Sequence, residues 1–166
     1  KSYNSISENG FTALENISFN VRRGETLGVI GRNGAGKSTV LGLIANVIRP
    51  TSGKIKVRGK VSPLLELGGG FHLELTGREN IIMNGVLLGG RKKDVISNID
   101  KVIEFSELGN FIDEPVRIYS SGMMAKLGFS IVTQLNPEIL LVDEVFAVGD
   151  KKFQEKCISV MNDFKK

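Results

Sequence analysis

Residues 31–38 read Gly-Arg-Asn-Gly-Ala-Gly-Lys-Ser, a glycine, four residues, a second glycine, then lysine and a hydroxyl residue. No other stretch constrains the fold as much. Such a loop turns successive backbone N–H groups inward around an anion, which needs glycine's conformational freedom. It belongs between a strand and a helix. Thr26–Ile30 is a mostly apolar run of strand type ahead of it. Val40, Leu41, Ile44, Val47 and Ile48 recur behind it at helical spacing. The helix start contributes roughly half a positive charge. Gly31, Asn33, Gly34, Ala35 and Gly36 supply the cradle. Lys37 is placed to reach the β- and γ-phosphates, Ser38 to join a Mg²⁺ shell and Thr39 to contact phosphate. A glycine-rich turn with a lone lysine is the competing reading, and the strand–loop–helix context argues against it. The loop implies a bound nucleoside triphosphate, or descent from a protein that bound one.

A second landmark lies far along the chain. Ile139–Val142 is a four-residue apolar run, short enough for a buried parallel strand, and Asp143 and Glu144 follow it. In open α/β sheets the carboxyl ends of the strands form the ligand edge. Asp143 is therefore expected to face the phosphate loop and to hold Mg²⁺ directly or through water. Glu144 points elsewhere and is placed to act as general base on an attacking water. Two surface acids after a strand is the plainer alternative, and the complete phosphate loop weighs against it.

The third landmark is Tyr-Ser-Ser-Gly-Met-Met at residues 119–124. Met124, Leu127, Ile131 and Leu135 fall on one helical face. Ser120 and Ser121 can cap the helix start, and Gly122 permits a close backbone approach. By itself this is only a well-made helix start.

Composition narrows the setting. With 166 residues, 41% of them hydrophobic and 24% charged, the chain suits one α/β domain and is neither disordered nor membrane-embedded. No apolar run approaches the roughly 18–20 residues that span a bilayer. Lys1 reads as a processing or fragment boundary, without an initiator Met or a signal peptide. The single cysteine, Cys157, permits no internal disulfide and lies with Phe153, Val160, Met161 and Phe164 on one helical face. It reads as a buried small apolar side chain in a cytosolic protein. The net charge of +4 is scattered except in "GRKKD" and "DFKK", so it reads as solvated surface, with no nucleic-acid partner expected.

Together these residues resemble the ATPase subunits of ABC transporters over nearly the whole chain. "YSSGM" stands where that family has its signature, usually Leu-Ser-Gly-Gly-Gln, with Met123 at the glutamine position. "AVGD", ending in Asp150, stands at the family's D-loop. "FHLELTGREN", "YSSGM" and "LLVDEVFAVGD" are similar to the branch that exports lipid-linked O-antigen, capsule or teichoic acid. The resemblance implies an α/β P-loop fold: an antiparallel β subdomain and RecA-like core from 1–67 and 136–166, and a helical subdomain from about 71–135. It implies ATP and Mg²⁺ as ligands. It implies a homodimer sandwiching two ATPs, in which Ser120, Ser121, Gly122, Met123 and Asp150 meet the partner's nucleotide. It also implies a separate membrane permease, and a place on the cytoplasmic face of the bacterial inner membrane.

The chain departs from the family pattern in places. Residues 61–77 contain no glutamine where the family has one between core and helical subdomain; Glu66 is nearest and is either a substitute near Mg²⁺ or a strand-end residue. Gly68–Gly70 suggest a linker. The switch histidine expected after a further strand has no counterpart, which suggests a fragment, and His72 reads as loop surface. Tyr3 and Phe11 are candidates for stacking on adenine, Phe11 equally for the core. Other functions compete, among them an ABC ATPase of another transport system. A non-catalytic nucleotide-binding module fits the missing groups. An ABC-type DNA-repair ATPase would carry a long coiled coil between phosphate loop and signature, and no heptad array lies between Gly36 and Ser120.

Overall fold

The computed structural model describes residues 10–64, 70–134, 137–143 and 150–163. Helix α1 spans Lys37–Ile44 and strand β1 spans Val61–Leu64. Then come α2 (Gly77–Leu87), α3 (Lys92–Ser97), α4 (Ile99–Ser106) and α5 (Ser121–Gln134), with short 3₁₀ turns at Gly109–Asp113 and Val116–Ile118. Strand β2 (Ile139–Val142) and helix α6 (Lys151–Asp163) follow.

β1 and β2 pair in parallel, with Val61 opposite Ile139 and Leu64 opposite Val142. Parallel neighbours require a long crossover, and here the whole α2–α5 region supplies it. The pairing carries Asp143 to the end of the sheet.

The starts of α1, α2, α5 and α6 have local causes. Gly36 takes φ +86° before α1. A Cβ there would stand 2.7 Å from Leu14 Cδ2 and 2.8 Å from the Ala13 carbonyl, so both conformation and space require glycine. Thr76 and Glu79 form a reciprocal capping box at α2: the Glu79 N–H donates to Thr76 Oγ1 and the Thr76 N–H to Glu79 Oε2. Ser120 caps α5 and Asp150 caps α6, accepting from the N–H groups of Met123 and Phe153. Residues 93–109, whose apolar side chains have helix-like spacing in sequence, break at Asn98 into α3 and α4.

Helix α5 is the spine of the described structure. Its Leu127 and Ile131 join Ile81, Val95, Val102, Leu108, Ile112, Val116 and Tyr119 in one core. Phe129 and Val132 enter a second core with Phe153 and Cys157 of α6. Phe105, Phe129 and Phe153 form a ring triad with centroids 5.9–6.1 Å apart. Each such pair contributes about 0.5–1.5 kcal/mol beyond its buried area. Cys157 is buried as its helical spacing implies, and burial pushes its thiol up to about 11.

Thr26–Ile30, of strand type in sequence, joins no ladder among the described residues. Leu27 and Val29 are exposed, and Ile30 is 97% exposed. A strand gains its stability from a hydrogen-bonded neighbour and a covered face, and among the described residues this run has no ladder partner and no buried residue. Phe11, at 89% exposure, is not core.

Candidate functional site

The phosphate loop is built by two glycines in the left-handed region, Gly34 at φ +80° and Gly36 at φ +86°. A turn closes it, the Ala35 N–H donating to the Arg32 carbonyl at 3.1 Å. Lys37 folds its side chain back over the loop. Its ammonium donates to the carbonyls of Gly31 (3.0 Å) and Arg32 (3.1 Å). A lysine held this way presents its charge at the mouth of the loop, beside the N-terminus of α1.

Ser38, the second residue of α1, donates from Oγ to Asp143 Oδ2 at 3.0 Å. The two residues are 105 positions apart, so this contact joins the phosphate loop to the end of β2. Two hard oxygens at that separation suit Mg²⁺. Adjacent ligands of an octahedron with bonds of about 2.0–2.1 Å lie about 2.9 Å apart. Ser38 and Asp143 would hold such an ion, and the ion would neutralise charge developing on phosphate oxygens.

The serine turn forms a separate feature. Ser120 and Ser121 are exposed at the start of α5. Ser120 Oγ accepts the Met123 N–H at 3.2 Å and its carbonyl accepts the Met124 N–H. Among the described residues, none of the hydrogen bonds of 120–123 reaches the phosphate loop. Gly122 has room for a Cβ, the nearest atom being Ser120 Oγ at 3.8 Å. The fold of one chain therefore does not demand glycine at this position.

Asp150 sits at the start of α6, where its Oδ1 caps the helix and its Oδ2 lies 2.6 Å from Lys126 Nζ. The Lys126 hydrogen bond first, and the Phe153 N–H second, hold its carboxyl below the ordinary range. Glu66, Glu144 and Tyr3 lie outside the described residues. His72 is exposed; its backbone is gripped by the buried Asn80, which accepts the His72 N–H and donates to the carbonyls of His72, Leu75 and Thr76. Sequence reasoning misses Asn80, Glu107 and Lys126. The capping-box spacing Thr76-x-x-Glu79 marks the helix beside Asn80 and is legible in advance. The partners of Glu107 and Lys126 are distant in sequence and leave no local signal.

A family model described as ABC transporter matches residues 14–147. The chain belongs to the ABC transporter family. Its fold is the family's ATP-binding fold. It has a TM-score of 0.78, at 21% identity, with a solved structure described as the dimeric post-hydrolysis state of the ATP-binding cassette MJ0796 bound to ADP and Pi. That match covers 93% of this chain and 75% of the other. Among curated relatives, the chain is 61% identical over 156 residues to the O-antigen export system ATP-binding protein RfbB of Klebsiella pneumoniae. It is 50% identical over 155 residues to the teichoic acids export ATP-binding protein TagH of Enterococcus faecalis. These matches cover 94% and 93% of the chain, and 63% and 34% of the two relatives. The polysaccharide-export branch of the family is thus where its similarity lies.

Proposed function

We propose that this chain is the ATP-binding and ATP-hydrolysing part of a protein that powers export of a lipid-linked cell-surface polysaccharide. It would work through a separate membrane permease, at the cytoplasmic face of the inner membrane. The observation that carries the ATP chemistry is the Ser38–Asp143 contact at 3.0 Å beside the looped Lys37. The export role rests on the identity with relatives named for O-antigen and teichoic acid export. No helix among the described residues is long and apolar enough to cross a membrane.

The division of labour follows from residue chemistry. The loop N–H groups and Lys37 bind and orient the β- and γ-phosphates. Ser38 and Asp143 hold Mg²⁺, and Glu144 accepts a proton from the attacking water. Two copies sandwich the nucleotides, with Ser120, Ser121, Gly122 and Met123 of one copy facing the γ-phosphate held by the other. The pairing of two copies is supported by the dimer described for the MJ0796 cassette.

The test pairs two variants of the full-length protein. Glu144→Gln is expected to bind ATP and abolish turnover. Lys37→Ala is expected to weaken ATP binding by an order of magnitude or more. Normal turnover by Glu144→Gln removes Glu144 as the base. A wild-type protein that binds ATP and never hydrolyses it favours a non-catalytic nucleotide-binding module.

A further inference from the structure

Tyr119 stands immediately before Ser120, and it is buried in the same core as Ile81 of α2 and Leu127 of α5. It reaches two other elements at once. Its hydroxyl donates to the Phe111 carbonyl in the first 3₁₀ turn. The same hydroxyl lies over Gly77 at the head of α2, where a Cβ would collide with it and would also meet Ile112 Cδ1 at 2.9 Å. Gly77 is absent from the residues with positive φ, so glycine is needed there for space and not for backbone conformation. Burial first, and the Asp113 charge second, push the phenol above its ordinary value. It therefore remains a donor throughout the neutral range. Where the signature that this turn resembles usually begins with leucine, this chain has a side chain that fills the core and also donates.

The chain that arrives at Tyr119 is held on the way. Pro115 bridges Thr76 in antiparallel fashion. The N–H groups of Val116 and Arg117 donate to the carbonyls of Leu75 and Leu73, each at 2.9 Å. Asn80 grips the 72–76 side of this pairing from within. After Arg117 the paired segment gives way to the exposed Ile118, the buried Tyr119 and then the exposed Ser120 and Ser121. The first bonded N–H groups of α5, those of Met123 and Met124, turn back to Ser120. Tyr119 is thus the last core anchor before the serine turn. The Phe111 carbonyl also accepts the Glu114 N–H at 3.0 Å, so removing the Tyr119 hydroxyl leaves that carbonyl bonded. The hydroxyl therefore contributes modestly to stability, while it fixes where the ring, and the serine one peptide further on, are placed.

We propose that Tyr119 is a positioning residue: its hydroxyl, held between the Phe111 carbonyl and the bare backbone of Gly77, sets the direction in which Ser120 and Ser121 are presented to a nucleotide held by a second copy. The inference rests on the proposed sandwich of two copies. Every contact it uses lies within one chain.

The experiment uses the full-length protein and three variants. Tyr119→Phe removes the hydroxyl and keeps the ring. Tyr119→Leu removes both. Val95→Ala is the control: it cuts a buried side chain of the same core, on α3, and leaves the serine turn's contacts in place. Melting temperature, ATP affinity of the single copy, ATP-dependent dimer formation, kcat and amide exchange over residues 121–124 are measured together. Tyr119→Phe is expected to melt within a few degrees of wild type and to bind ATP within about two-fold. Its kcat and its dimer affinity should each fall about five-fold or more, and exchange over 121–124 should be several-fold faster. Tyr119→Leu should be no better. Val95→Ala should lose at least as much melting temperature and keep kcat within about two-fold of wild type where it is folded. Wild-type kcat and dimer affinity in Tyr119→Phe overturn the inference, and so does a kcat loss in Val95→Ala as large as that in Tyr119→Phe. Unchanged exchange over 121–124 in Tyr119→Phe overturns it even in a protein without turnover. A wild-type protein that neither turns over ATP nor dimerises with it counts against the proposed function instead, and the exchange measurement still decides the role of Tyr119.

Discussion

The glycines of this chain separate by what surrounds them. Gly77 begins α2 beneath the Tyr119 hydroxyl, and a Cβ there would also meet Ile112 Cδ1 at 2.9 Å and its carbonyl at 3.0 Å. A Cβ at Gly122, at the start of α5, would meet only Ser120 Oγ at 3.8 Å. In a helix alanine is favoured over glycine by about 1 kcal/mol, so the sign of each substitution depends on the space available. Gly77→Ala is expected to destabilise the protein by about 1–3 kcal/mol through overpacking. Gly122→Ala should keep or raise the melting temperature and yet depress ATP turnover, if a second copy's nucleotide approaches the backbone there. Thermal melts and turnover on both variants decide it; a Gly122→Ala protein with full activity removes the need for that approach. The residue scale is also where the sequence reads best. Gly36 and Lys37 are legible because the loop's chemistry is contained in eight consecutive residues. Glu107 is not, since nothing in its neighbours announces a left-handed glutamate surrounded by lysines.

Between elements, legibility depends on whether a contact has a local signature. The start of α5 at the serine turn is visible in the apolar spacing of Met124, Leu127 and Ile131. The pairing of β1 with β2 is only half visible. The run 139–142 reads as a strand, but Val-Ser-Pro-Leu at β1 has a proline that argues against a central strand. Conversely, Thr26–Ile30 has the composition of a strand and no ladder partner among the described residues, so composition alone misleads there. The α5–α6 junction is invisible in sequence, because Lys126 and Asp150 are 24 positions apart and belong to different helices. That junction has a pH signature. Lys126 holds the folded carboxyl of Asp150 below its ordinary value, so the associated stability is fully present above the unfolded carboxylate range. It is lost as pH falls through the folded value. The difference in melting temperature between wild type and Asp150→Asn should therefore shrink as the pH is lowered from about 7 to about 3. A difference that stays constant over that range would mean that the carboxylate charge contributes nothing to the junction.

At the scale of the whole molecule, two potential anion sites exist and the described structure assembles only one of them. The phosphate loop, Lys37, Ser38 and Asp143 meet within a single chain. Ser120, Ser121 and Gly122 open a second helix start, exposed or half-buried, with no hydrogen bond toward the first site among the described residues. The N-terminus of α5 favours an anion, and in the proposed homodimer that anion would be the nucleotide held by another copy. This would give the serine turn a use that its fold alone does not supply. Half of such a site would belong to a second molecule, beyond the reach of a reading of local residues. Ser121→Arg places a long cation at the exposed turn, where it disturbs no buried contact. Nucleotide binding by the single copy should be unchanged within two-fold, while ATP turnover and ATP-dependent dimer formation are lost. Binding by equilibrium titration and dimer formation by sedimentation separate the two effects, and an active Ser121→Arg dimer would place the partner's nucleotide somewhere other than this helix start.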